Sequence, residues 1–218
     1  VNIVAGFKPT DTTYAGVSLA SGAGFYWANH YAAAADWRRD AEGSLSAWGF
    51  NTRGGWSDPS PDFGLALAPE LDLGRLARLH WFDPFDPAAP ERAAATAREL
   101  LAPLAGDSRL LGVFTDNEVG WWSTPIFTFY LQYGIESHTK KALWDMLYTR
   151  YQGDWNRLRQ DFAPSRYVRG FEDLKLAGAV LKLKPGGRGM EVVNAFTAMV
   201  AKRYYTLVEQ ALRQAQPG

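Results

Sequence analysis

The segment Leu110-Leu111-Gly112-Val113-Phe114 is apolar at every position and runs directly into Thr115-Asp116-Asn117-Glu118. A strand with one wet face would alternate. Continuous apolarity therefore predicts a strand buried on both faces, the environment of a parallel sheet covered by helices. The abrupt polar ending constrains the chain further. In parallel α/β folds ligands gather beyond the carboxyl ends of the strands, which is where Asp116, Asn117 and Glu118 fall.

The chain around this run alternates in the same sense. Val1 to Val4 reads as a first strand, followed by a turn-rich loop from Gly6 to Gly24. Between Tyr26 and Trp48 the spacing of Trp37, Ala41, Leu45 and Trp48 predicts a helix that Gly49 ends. Phe50 to Gly55 predicts a second strand, delivering Trp56, Ser57 and Asp58 to a loop closed by Pro59 and Pro61. Leu76 to Phe82 predicts a third strand before the Asp-Pro turns of DPFDP. A helix through Glu91 to Leu101 follows, and Leu110 to Thr115 is the fourth strand.

Beyond Trp122 the pattern is helical, over Ile126 to Tyr133, Thr139 to Tyr151, Asp154 to Phe162 and Met190 to Gln214. Strands and helices in alternation predict a parallel α/β architecture. No repeat or low-complexity linker interrupts it, so residues 1–218 read as a single domain. Four strands correspond to half of a closed eight-stranded barrel, which takes about 250 residues, or to an open sheet.

Composition removes several classes. Lys plus Arg equal Asp plus Glu at 23 each, and no basic cluster stands out, so nucleic acid is not an expected partner. No apolar run approaches the roughly 20 residues that span a bilayer. Absence of cysteine excludes disulfides and thiol nucleophiles and leaves the compartment open. His30, His80 and His138 have no carboxylate at a ligand-like interval, so neither a metal nor another cofactor is expected. No nucleophile elbow or phosphate loop occurs. What is unusual is the aromatic content, 14% with 9 Trp, several of them in short polar loops.

Those tryptophans and the 116–118 cluster suit glycoside cleavage. That reaction needs an acid to protonate the leaving oxygen, a second carboxylate across the bond, and apolar platforms for sugar rings. Glu118 is the candidate acid, with Trp neighbours that would favour its protonated form. Asn117 is placed to hold a sugar 2-hydroxyl, and Trp121, Trp122 and Trp56 to stack on rings. Asp116 takes a supporting role, and His80, beside Trp81, is expected to face the substrate. Asp83 and Asp86 each precede proline and read as turn formers. Trp27, Trp37, Trp48 and Trp155 read as packing residues.

TDNEVGWW, with WGFNTRGGWSDP before it and RYQGDWNRLRQDFAP after it, resembles the β-agarase and β-galactosidase-related branch of the retaining clan A glycoside hydrolases. The resemblance implies a (β/α)8 TIM-barrel truncated after about four strands. It makes Glu118 the acid/base at the end of the fourth strand and Asn117 its sugar-binding neighbour, with Trp56 and Asp58 lining the cleft. The nucleophile, a Glu ending a seventh strand, is expected in a missing C-terminal half, so this chain alone is expected to be inactive. The implied substrate is a β-linked, galactose-containing poly- or oligosaccharide. The alternatives are a carbohydrate-binding protein using the same cleft without turnover, and an unrelated open-sheet protein in which Glu118 is merely solvated.

Overall fold

The computed structural model describes residues 26–57 and 63–215, together with a short antiparallel pair, β1 (Thr13–Tyr14) and β2 (Val17–Ser18). The strand expected at Val1 to Val4 lies outside the described residues. The chain divides into two compact units, one of residues 1–71 and 104–115, the other of residues 72–103 and 116–218.

In the first unit α1 (Ala34–Ala47) buries Trp37 and Leu45 against Phe63 and Leu65, with Ala41 on the same stripe. The helix is shorter than its sequence pattern suggests. Trp27–Asn29 forms a separate 3₁₀ turn, and Trp48 is exposed at the helix end, where Gly49 takes φ of 83°. β3 (Thr52–Arg53) pairs in parallel with β4 (Ala66–Leu67). On the other side of β4 the Leu110–Phe114 segment runs parallel, bridging Leu67 to Leu110 and Glu70 to Phe114. Alternate backbone N–H groups make this possible: Ala66 and Ala68 donate to Asn51 and Arg53, while Leu67 and Leu71 donate to Arg109 and Phe114.

Two expectations change here. The strand between β3 and Leu110–Phe114 is formed near residues 66–67, not at Leu76 to Phe82. Its signal was the alternation of buried Phe63, Leu65 and Leu67 with exposed Gly64 and half-buried Ala66, masked by prolines on both sides. Residues 76–82 cannot extend into a strand because Arg78 and Trp81 adopt φ of 56° and 59°. The second correction concerns Leu110 to Thr115, which is not buried on both faces. Leu111 is 69% and Phe114 57% exposed, and among the described residues only β4 and the residues after it up to Leu71 pair with this segment.

The second unit is mainly helical: α2 (Leu73–Leu76), α3 (Ala89–Leu101), α4 (Ser123–Leu131), α5 (His138–Tyr151), α6 (Trp155–Asp161) and α7 (Gly189–Ala215). An unforeseen antiparallel pair, β5 (Phe162–Pro164) with β6 (Leu181–Leu183), follows α6. The core joins Ile126, Phe127 and Tyr130 of α4 to Leu143 and Leu147 of α5 and to Val193, Phe196 and Val200 of α7. Each such buried side chain contributes about 1.5–3 kcal/mol relative to exposure. α7 also packs along α3, whose buried stripe is Ala89, Ala93, Ala97 and Leu101, so small side chains let the two backbones approach.

Helix ends in this unit are tied down by side chains distant in sequence. Asp83 accepts hydrogen bonds from the N–H groups of His138 and Thr139, both at 2.8 Å, and from the Thr139 hydroxyl at 2.6 Å, capping α5 together with Ser137. Asp86 accepts from Ala88 N at 2.9 Å and pairs with Arg92 at 2.6 Å at the start of α3, which holds its carboxyl below the usual range. Both aspartates therefore serve structure, as their Asp-Pro context suggests. Buried Lys140 donates its ammonium to the Leu131 carbonyl at the end of α4, and burial pushes it down to about 8, opposed by Glu136. Replacing Asp83 by Ala strips three bonds from the α5 cap, and we expect a loss of about 1–2 kcal/mol in urea unfolding with the spectrum of the folded state unchanged.

Candidate functional site

The polar residues after Phe114 divide sharply by what they touch. The Asp116 carboxylate accepts from the backbone N–H of Gly74 at 2.9 Å and of Arg75 at 3.1 Å, and from the hydroxyl of Tyr204 on α7. It thus caps α2 from 42 residues away, since Asp72, the local cap position, sits at φ of 55° and caps nothing. Gly74 is required in this arrangement, because a Cβ there would lie 2.5 Å from the Tyr204 ring. Asn117 and Glu118 are different. Both are exposed, and neither side chain bonds to another described residue.

Asn117 and Glu118 open onto a groove of about 370 Å³ within the second unit, whose other walls include His80, Trp81, Trp122 and the Asp72–Arg75 ion pair. Its backbone is strained. Of the six non-glycine residues with left-handed φ among the described residues, Asp72, Trp81 and Glu118 (φ 44°) all line this groove, and such strain concentrates where ligands bind. Gly120, at φ of 73°, lets the Trp122 ring fold back over the loop, with only 3.0 Å between that ring and the place a Cβ would occupy.

The aromatic residues share the work unevenly. Trp122 is 64% exposed and its ring centre lies 6.5 Å from that of Trp81, so two indoles face the groove. Trp81 is braced edge-on by Phe129 at 4.9 Å. Trp121 instead turns inward, donating to the Tyr205 hydroxyl at 2.9 Å and packing on His80 and Tyr204. The two tryptophans after Glu118 therefore do not bury it. Trp56, exposed at φ of 61°, belongs to the first unit, and Asp58 lies outside the described residues. Trp81, Asp72 and Tyr204 carried no separate signal in the sequence, because their part in the site follows from long-range contacts.

His80 does line the groove, but it is buried, against the rings of Trp81, Trp121 and Tyr204. Burial pushes its imidazole down to about 4, the backbone of Gly120 and Val119 opposing only in part, and neither ring nitrogen makes a well-formed hydrogen bond. Among the described residues no cluster of metal-ligating side chains occurs, and no helix is long and apolar enough to cross a membrane.

No family model matches the chain. In an alignment 100 positions long that covers 39% of the chain it is 30% identical to Beta-agarase A of Vibrio sp. (strain JT0107), and in one 89 positions long that covers 35% of the chain 33% identical to Beta-agarase B of the same strain. These matches span 10% and 9% of the two relatives. The crystal structure of an agarase superimposes on 84% of the chain with a TM-score of 0.64 and 22% identity, and an exo-β-agarase structure on 84% with 0.63 and 20%. The chain corresponds to 28% and 26% of those two structures. It shares their fold in this region, a mixed arrangement of helices and strands.

A neutral, buried His80 has a thermodynamic consequence. Its folded pKa lies below the unfolded value of 6.5, so the unfolded chain binds the proton first as pH falls. Stability should be fully retained above about pH 6.5 and decline between there and about pH 4, by on the order of 2–3 kcal/mol from this group. Chemical denaturation across that range should show the slope in the parent and lose it in His80→Phe. A His80 imidazole resonance titrating near its ordinary value would contradict this assignment.

Proposed function

We propose that this chain carries the acid/base side of a retaining glycoside hydrolase site for β-linked, galactose-containing poly- or oligosaccharides, with Glu118 as the acid/base. The observation that carries the reading is the contrast in the 116–118 cluster. Asp116 is fully engaged in capping, while Glu118 and Asn117 stand uncommitted in a groove walled by two indoles. Indole faces beside an unpaired carboxyl and amide suit a sugar ring, which offers an apolar face for stacking and hydroxyls at its edge. The likeness to the Vibrio agarases supports the galactan class.

In this mechanism Glu118 protonates the glycosidic oxygen as that bond breaks, and a second carboxylate attacks the anomeric carbon to form a glycosyl-enzyme. Glu118 then takes a proton from the water that releases the sugar. Asn117 holds the 2-hydroxyl, and Trp122 with Trp81 carries the rings. Trp121 and His80 form the packed wall behind them. Asp116 positions the loop, its oxygens accepting from Gly74 N, Arg75 N and the Tyr204 hydroxyl. Retention needs its partner carboxylate about 5–5.5 Å from Glu118 across the sugar. We place that group in further strands of a (β/α)8 barrel, of which β3, β4 and Leu110–Phe114 are consecutive members and residues 1–218 one part of the catalytic domain.

The test is reducing-sugar release from agaro-oligosaccharides, by this chain and by the polypeptide that joins it to those strands. We expect activity in the joined form alone, with Glu118→Gln lowering turnover by about 10²–10⁴-fold on natural glycosidic leaving groups and far less on a nitrophenyl β-galactoside. Equal turnover of parent and variant on the natural substrate would remove Glu118 from the role. Binding without turnover in the joined form would make the protein a carbohydrate binder.

A further inference from the structure

A second groove in the same unit, of about 390 Å³, adjoins the first across Phe82, whose side chain lines both. Its other walls include Arg78, Tyr133, Ser137 and the capping residues Asp83 and Asp86. The carboxylates here are already bound, Asp83 to the start of α5 and Asp86 to Arg92. Arg78 is not. Its guanidinium lies 5.0 Å over the Phe82 ring and has no hydrogen-bond or ion-pair partner among the described residues. Its backbone holds the left-handed φ of 56°, a conformation unfavourable for a side chain of this size. Tyr133 is 42% exposed, edge-on to Phe129 at 5.1 Å, and its hydroxyl is likewise uncommitted.

We propose that this groove is a second sugar-binding subsite, taking a more distant ring of the same oligosaccharide that the Glu118 groove holds. The proposal rests on the reading of that first groove as a glycan site. A stacked guanidinium offers a flat platform with hydrogen-bond donors along its edge, a geometry that matches adjacent ring hydroxyls. Phe82 beneath it and Tyr133 elsewhere in the lining supply apolar surface, and the Ser137 hydroxyl adds a donor. Charges in the groove balance, Arg78 and Arg92 against Asp83 and Asp86, so a neutral ring is favoured over an anionic one. Two adjoining subsites make affinity grow with chain length, because the second ring binds at high effective concentration once the first is held.

The measurement is calorimetric titration of the 218-residue chain with agaro-oligosaccharides of two and six residues. The longer ligand should bind about tenfold more tightly, equivalent to about 1.4 kcal/mol. Arg78→Ala should abolish that difference while leaving disaccharide affinity unchanged, and Arg78→Lys should behave like it, since the charge survives but the planar fork does not. Trp122→Ala should weaken both ligands. Equal length dependence in parent and Arg78→Ala would overturn the subsite while leaving the Glu118 groove intact. Failure of this chain to bind either ligand would overturn the subsite, while the reading of the Glu118 groove would stand or fall on turnover by the joined form.

Discussion

The site depends on one carboxylate. α2 is a single turn whose own cap position is unusable, and its first N–H groups would stay unsatisfied without Asp116. Hydrogen bonds to a charged acceptor contribute about 1.5–3 kcal/mol each, so this cap joins two segments far apart in sequence with more than local propensity supplies. Tyr204 adds a third tether from the middle of α7, the longest helix. Because Asn117 and Glu118 follow directly, holding Asp116 holds their backbone. The chain thereby spends one acid on architecture to position another that is left free.

That rigidity is what permits strain. Left-handed φ at Asp72, Trp81 and Glu118 costs about 1–3 kcal/mol per residue and persists only where the surroundings over-determine the backbone. The surroundings here are aromatic. His80 sits among Trp81, Trp121 and Tyr204, and the Trp121 indole is fastened to Tyr205. A neutral imidazole suits this packing, since a protonated ring would need partners that the cluster lacks.

Sequence periodicity revealed α1 and α3 to α7, but not the single turn of α2, because their signals are local. Asp154 caps α6 in its own sequence, accepting from Asn156 and Arg157, Ser137 does so for α5, and the apolar stripe of α7 repeats over seven turns. It failed where structure is set at long range. Leu76 to Phe82 looked like a strand because Ala77, Leu79 and His80 are buried, yet their burial comes from an irregular segment fixed by the Asp116 cap and two left-handed residues. β5 and β6 escaped notice because three-residue strands, one ending in Pro164, leave no alternation to read. Strand-end placement singles out Glu118 and Asn117 as candidates, but it cannot separate Trp121 from Trp122, since adjacent tryptophans carry the same signal.

The separation of committed from uncommitted groups also explains why so acidic a neighbourhood has one candidate acid. Asp72, Asp83, Asp86 and Asp116 all lie in or beside the two grooves, and each is held by an arginine or by helix N–H groups. Their oxygens are taken up by the fold. Glu118 has no such tie. No helix cap depends on its carboxyl, which suits the acid/base role proposed for it. The same logic singles out Arg78 and Tyr133 in the adjoining groove, where the bonding capacity left over by the fold faces solvent beside exposed rings.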